Sequence, residues 1–561
     1  MSRNRPSTAQ PTTPADAARP SRSGALSRTA AGATVAAAAL FVAAPIVAVF
    51  AGALAGGGEA QAHIWSTAGP RYFATTVYLC LLVAVGTTVV GAGAAMLISL
   101  TEFPGRRFLS VALVLPFAVP AYAAAYVYGD FLGPFGPAAA VVGPRALPEI
   151  RSLGGAAFIL VLTTYPYVYL AMRASLSARS AAFMESARML GASPAGAARR
   201  VLLSAGRPAL IGGLALALME TAAEFGVADY FGVQTLSVGI FRTWYGLGDL
   251  TAATQLAAGL FLAALMLVLL EESGRRAGAM DSARALRGRA RLRLSPLHAA
   301  AAFAACAAPV AFGFLLPAGV LLAMLDPDLT VGAARGLMQS VANTALVGGA
   351  GAGAAITLAV ALAYAGRTAR SAAAKTMLRI ATFGYAIPGA VIAIGVLALT
   401  AGLSRFTGVA VAGGIAILIY AYVARFLTAG YNMAAGGLAQ VSPQMDAAAK
   451  SLGASDARIL TRLHLPLTRG AILAGAAIVA IDIAKELPAT LLLRPFNFET
   501  LSTRIYRLAS DERLADAAPA ALILIALSLV PALALSLFSE GGKAARVTPP
   551  RRDKRGASRP A

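Results

Sequence analysis

The chain has 561 residues, of which 58% are hydrophobic and 13% charged, with a mean hydropathy of +0.71. Soluble domains average about 45–50% apolar and about 25% charged residues, so this composition excludes an ordinary soluble domain. The net charge of +22 does not mark a nucleic-acid binder, because the basic residues gather in the tails and in alternate loops, as in membrane proteins oriented by their cytoplasmic Lys and Arg.

Residues 1–28 are rich in Pro, Ser, Thr and Ala and carry Arg3, Arg5, Arg19, Arg22 and Arg28. That basic region is too long for a signal peptide and reads as a disordered cytoplasmic tail. Beyond it, uncharged stretches such as Val77–Thr101 and Ala156–Met172 approach or exceed the length of about 20 residues that a bilayer core requires. About twelve spans are expected, over 29–51, 73–100, 108–132, 154–174, 206–228, 249–270, 299–324, 339–365, 376–400, 408–432, 469–493 and 514–538. The intervening segment 273–298 reads as a cytoplasmic linker and 541–561, with Lys543, Arg546, Arg551 and Arg552, as a basic cytoplasmic tail. The loops Arg173–Arg207, Arg275–Arg293, Arg367–Arg379 and Lys450–Arg469 each carry at least four basic residues. Most loops between them carry one or two, although the last, with Arg494, Arg504, Arg507 and Arg513, is an exception. The alternation puts both termini on the cytoplasmic side of a multi-pass protein.

The chain repeats itself. Thr76 and Pro120 match Thr344 and Pro388 at one offset, ASPAGAARRVLL matches ASDARILTRLHL, Glu220 and Glu224 match Asp482 and Glu486, and TLSVGIF matches TLSTRIY. The order of blocks is kept, which predicts an all-α integral membrane protein of two homologous six-helix halves, 29–272 and 299–540, in the same orientation.

Each half holds a bent segment after its fourth span. In MESARMLGASPAGAARRVLLSAGRP, Glu185 to Leu190 can form a helix, Gly191 suits a left-handed C-terminal cap, and Ser193 and Pro194 suit the start of the next helix. In DAAAKSLGASDARILTRLHLPLTRG, Gly453, Ser455 and Asp456 repeat the turn. One such copy is an ordinary helix connection; two at equivalent places are not.

These two segments resemble the EAA loop of binding-protein-dependent ABC importer permeases, a pattern of an acid followed by two alanines, a Gly, and a later hydrophobic-x-Leu-Pro. The first copy has Glu185, Ala187, Gly191 and Ser193, with Ser204 where Pro is expected; the second keeps Leu465 and Pro466 but has Ala447 at the acidic position, with Asp446 one residue earlier, about 100° around the helix. The stretches LPFAVPAYAAAYVY, LMETAAEFGVADYFGVQTLSVGIF and DIAKELPATLLLRPFNFETLSTRIYRLASDERLA further resemble fused two-half permeases of the ferric-iron type. The resemblance implies a type I importer fold in the bacterial inner membrane, two copies of a separate ATPase docking on the two loops, and an extracytoplasmic substrate-binding protein. Thiamine and phosphonate permeases share the fused layout.

Glu220 and Glu224, like Asp482 and Glu486, are four residues apart and share a helix face, with Lys485 beside the second pair. A charge at the bilayer centre costs on the order of 2.5–3.5 kcal/mol, so these residues are expected to line the translocation path, to form structural ion pairs, or to sit near the external interface. Tyr122, Tyr126, Tyr128, Asp130, Asp229 and Tyr230 fall near the expected external helix ends; Fe(III) favours such hard oxygen ligands, but aromatic belts account for tyrosines at that depth, and none is assigned as a ligand. Cys80 and Cys306 fall in apolar runs, and His63, His298 and His464 are far apart in sequence, so no metal site is drawn; His464 is read as a surface residue. No G-x-x-x-x-G-K-[ST] phosphate loop is found, Gly541-Gly542-Lys543 being the nearest string. No catalytic grouping and no cofactor is assigned, and the energy for transport has to come from a partner or an ion gradient. A twelve-helix secondary transporter and a membrane-embedded enzyme are the rival readings; the paired loops weigh against the first and the sparse His and Cys against the second.

Overall fold

The computed structural model describes residues 22–55, 62, 64, 66–189, 191, 193, 196, 206–281, 292–326, 330–368, 371–409 and 414–541. The tail residues 1–21 and 542–561 lie outside this set. The first half contains α1 (Arg22–Leu54), α2 (Gly69–Leu100), α3 (Arg106–Ala112), α4 (Ala121–Phe131), α5 (Leu153–Met189), α6 (Arg207–Ala223), α7 (Gly226–Tyr230), α8 (Leu236–Phe241) and α9 (Leu250–Asp281). The second contains α10 (Pro296–Ala323), α11 (Val331–Thr368), α12 (Ala372–Ala381), α13 (Gly389–Thr407), α14 (Ile415–Leu438), α15 (Pro443–Ser451), α16 (Asp456–Lys485), α17 (Pro488–Leu493), α18 (Leu501–Ser510) and α19 (Leu514–Gly541). The only strands among the described residues are the parallel pair Thr101–Glu102 and Leu292–Arg293, which ties the linker back to the end of α2.

Ten helices are long and apolar enough to cross a membrane, and the segments Arg106–Ala118 and Ala121–Phe131, bent by 90°, make an eleventh if they count as one span. The remaining expected span, 206–228, is not continuous: α6 has 17 residues and stops at Ala223, where Glu224 turns extended (φ −68°, ψ 126°). The expected span 469–493 breaks in the same way at Glu486 (φ −65°, ψ 114°). These two breaks correct the straight spans drawn from hydropathy, which averages over a window and registers no single-residue turn.

The sequence repeat is matched device for device. Pro120 and Pro388 each precede a helix in extended conformation (ψ 134° and 141°) after a short 3₁₀ turn, because proline fixes φ and lacks the N–H that a continuing helix needs. The buried hydroxyls of Thr76 and Thr344 accept the backbone N–H of Leu236 at 2.9 Å and of Leu501 at 2.8 Å. Thr235 and Thr500 cap α8 and α18 through the N–H groups of Val238 and Thr503. In a lipid-facing protein such bonds are obligatory for backbone that leaves the helix.

The halves interlock. Helix α1 packs on α11, α12 and α13 of the second half as well as on α9, while α10 packs on α2, α3, α4 and α5 of the first. Tyr420 donates its hydroxyl to the Phe41 carbonyl of α1 (2.9 Å), and Tyr128 donates to the Phe312 carbonyl of α10 (2.7 Å). Each half's leading helix is thus clasped by the other half. Helix α9 packs on α13 and α19 on α4, so the last long helix of each half touches the post-proline helix of the other.

Replacing Thr76 or Thr344 by the isosteric valine leaves a buried N–H without its acceptor, a loss of about 1–3 kcal/mol each. Both variants are expected to unfold several degrees below the wild type in a thermal-shift measurement in detergent, and equal melting would count against the assigned role.

Candidate translocation cavity and docking elbows

Both breaks are built by the same chemistry. A helix start leaves backbone N–H groups without intrahelical partners; Glu224 Oε1 accepts the Val227 N–H at 3.1 Å, and Glu486 Oε1 accepts the Ala489 N–H at 3.0 Å. The Glu486 carbonyl also accepts the hydroxyls of Thr490 (2.5 Å) and Ser502 (3.0 Å). The second break is reinforced further by an ion pair between Glu486 and Arg425 of α14. A Cβ on Gly389 would collide with both members of that pair, so a larger residue there would have to displace it.

The breaks open a cavity of about 130 Å³ between the halves. Glu220, Glu224, Asp482, Lys485 and Glu486 all line it, together with Arg425, Tyr122, Thr163 and Thr164. Lys485 donates to the Phe117 carbonyl at 3.0 Å and lies over the Phe117 ring, so its hydrogen bond reaches across to the first half. Two lining residues escaped the sequence reading. Arg425 is a lone charge in an otherwise uncharged span, and that was the available signal. Tyr122, in the first turn of α4, is 4% exposed, lines the cavity, and its hydroxyl has no partner among the described residues. Among those residues no group of three or more His, Cys, Asp and Glu side chains stands close enough to hold a metal ion.

A larger space of about 1090 Å³, also shared by both halves, lies on the other side of α7 and α17: Glu224, Leu487 and Pro488 face the smaller cavity, and Phe225, Leu491 and Leu492 the larger. Two hydrogen bonds join the halves beside it, from Tyr506 to Asp229 Oδ2 (2.8 Å) and from Tyr245 to the Leu491 carbonyl (2.6 Å).

The second bent segment lies at the end of α16 far from the Glu486 break, the helix's 30 residues spanning about 45 Å. Gly453 takes φ +78° and Gly191 φ +77°, a region where a side chain is strained. The Gly453 N–H bonds the Lys450 carbonyl (3.0 Å) and the Ala454 N–H the Ala449 carbonyl (3.0 Å), the pair of bonds of a Schellman cap. Ser455 accepts the Arg458 N–H (3.3 Å) and Ser193 the Gly196 N–H (3.2 Å). Glu185 and Ala187 fall in the last turns of α5; their side chains, and residues 194, 195 and 197–205 with Pro194 and Ser204, lie outside the described set.

The second elbow departs from the first in its acid. Asp446 does not point outward: its Oδ2 accepts Arg367 Nε at 2.9 Å and its Oδ1 pairs with His464 Nε2 at 2.7 Å. Arg367 also donates to the carbonyls of Leu438 (2.7 Å) and Val441 (2.8 Å), so one guanidinium joins α11, the end of α14 and α15. His464, expected at the surface, is 0% exposed and packs edge-on against Tyr364; it lies on the inward face of α16, which the loop composition could not reveal. Ala447 is exposed, as are Leu452 (87%) on this elbow and Met189 (89%) on the other.

Burial raises the Asp446 pKa, but the hydrogen bonds and charges of His464 and Arg367 outweigh it and hold the carboxyl below its ordinary value. A lowered folded-state pKa contributes stability that is complete above the unfolded value and is lost as pH falls through the folded one. Asp446→Asn is therefore expected to lower the melting temperature at pH 7, with the gap from wild type narrowing as the pH is taken below about 4; a gap that holds constant into acid would oppose the assignment.

Among known proteins, no family model matches. The Fe(3+)-transport system permease protein FbpB 2 of Haemophilus influenzae is 24% identical over 476 residues, covering 83% of this chain and 89% of the relative. The sulfate transport system permease protein CysW of Escherichia coli is 30% identical over 215 residues, covering 36% of this chain and 74% of the relative. The sulfate transport system permease protein CysT of Salmonella typhimurium is 26% identical over 212 residues, 35% of this chain and 73% of the relative. The broken helices at Glu224 and Glu486, the paired elbows and these similarities converge: the chain belongs to the family of binding-protein-dependent ABC transporter permeases.

Proposed function

We propose that this multi-pass permease forms the pathway for ATP-driven import of ferric iron. Permeases of this family work with an ATPase and a substrate-binding protein; here two ATPase copies engage the elbows at Glu185–Ser193 and Asp446–Ser455, and the binding protein delivers its load to the opposite face. Both termini are cytoplasmic in this reading, in keeping with the basic loops. The exposed Met189 and Leu452, one on each elbow, support a covering partner there.

The observation that carries the choice of cargo is the charge of the inner cavity. Its lining holds four carboxylates, Glu220, Glu224, Asp482 and Glu486, and two cations, Arg425 and Lys485, a formal −4 + 2 = −2. A cavity of that sign in a low-dielectric wall attracts a multivalent cation and repels sulfate, so it favours the ferric relative's cargo over that of the sulfate relatives. Nucleotide can drive the cycle only by binding the two conformations unequally, and the elbows are where that difference reaches the membrane helices.

In a strain lacking the chain, uptake of labelled Fe(III) is expected to fall and to return with the wild-type gene, while thiamine and sulfate uptake stay unchanged; loss of thiamine or sulfate uptake instead would reassign the cargo. Gly453→Val forces a β-branched residue into positive φ, a strain of about 1–3 kcal/mol. It is expected to cut uptake several-fold while the protein still inserts, and normal iron moved per ATP would remove the elbow from the coupling path.

A further inference from the structure

The four cavity carboxylates are not equivalent. Glu224 and Glu486 hold backbone N–H groups at the helix breaks, and Glu486 also holds Arg425. Glu220 and Asp482, one turn earlier on their helices, take no hydrogen bond or ion pair from any described residue. Across the two halves the charge of Glu220 acts on Asp482, with Lys485 and Arg425 offsetting both acids. Acids without a hydrogen-bonded partner are costly inside a membrane protein and persist where a path or ligand uses them. A second observation is independent of the acids: the Tyr122 hydroxyl, on a side chain 4% exposed that lines the same cavity, has no partner among the described residues. Buried hydroxyls are almost always hydrogen-bonded, so an orphan one beside a cavity points to a visitor.

Resting on the ferric reading above, we propose that Glu220, Asp482 and the Tyr122 hydroxyl form a transit site for a hard, oxygen-seeking multivalent cation, while Glu224 and Glu486 serve the fold. Carboxylate and phenol oxygens are the donors that such a cation selects. The site supplies two acids, one from each half, and no cluster of three metal-ligating His, Cys, Asp or Glu side chains is present among the described residues. It therefore holds its cargo loosely, as a conducting site must if the ion is to leave. Lys485, three residues after Asp482, lines the same cavity and offsets both acids, and an arriving cation takes over that role.

The test uses the complete complex of permease, ATPase and binding protein in proteoliposomes, with iron moved per ATP hydrolysed as the readout and redox-inert Ga(III) as a competitor. Glu220→Gln and Asp482→Asn are expected to lower that ratio by about tenfold each, which corresponds to about 1.4 kcal/mol, and the double variant to lose Ga(III) competition. Tyr122→Phe is expected to lower it less. The charge-keeping Glu220→Asp and Asp482→Glu should recover most of the ratio, which a merely structural role would not require. A double neutral variant that moves iron at the wild-type ratio overturns the site, as do charge-keeping variants no better than neutral ones. If wild-type complex carries thiamine or sulfate in place of Fe(III), the cargo reading fails first, and the two failures are distinguished by the wild-type measurement alone.

Discussion

Backbone that leaves a helix inside lipid must find a partner, and at the two breaks beside the cavity the partner is a glutamate. Glu224 and Glu486 each end a long helix and cap the short one that follows. Without those two bonds, α6 and α16 would either continue as straight rods or leave N–H groups unpaired at a cost of several kcal/mol each. The broken helices border the cavity between the halves and lead into the short helices α7 and α17 that separate it from the larger space.

Around that constraint the two halves are alike in frame and unlike in charge. The threonine bonds to Leu236 and Leu501, the prolines before α4 and α13, and the threonine caps of α8 and α18 recur in both halves. The cations do not recur: Arg425 and Lys485 both come from the second half. The elbows differ in sequence too, since the second has Ala447 at the acidic position and ties Asp446 to Arg367 and His464. A duplicated scaffold thus retains the bonds that backbone geometry demands and varies the side chains that face open space or a partner. The clasp of α1 and α10 on opposite halves joins the two into one unit.

Much of this was legible in the residues. The positive φ of Gly191 and Gly453 and the serine caps beside them follow from local turn chemistry, and all five acidic and basic residues singled out on the two helices line one cavity. Three features were not legible. His464 is buried although its loop is basic and polar, Tyr122 lines the cavity although aromatic belts account for most such tyrosines, and Arg425 carries the Glu486 pair although no motif marks it. In each case the side chain's role depends on a helix distant in sequence.

The sequence by itself determined the solvent, the repeat and the punctuation: apolar windows long enough for lipid, blocks recurring in order, and glycine, proline and threonine at the positions where the chain turns. These are local properties, governed by a few neighbouring residues and by transfer from water. Only the tertiary structure decided which charges meet, because the Arg425–Glu486 pair bridges 61 residues and the Lys485–Phe117 bond 368. Local propensity carries no information about such closures; packing selects them, by bringing together groups that would be unaffordable in lipid alone.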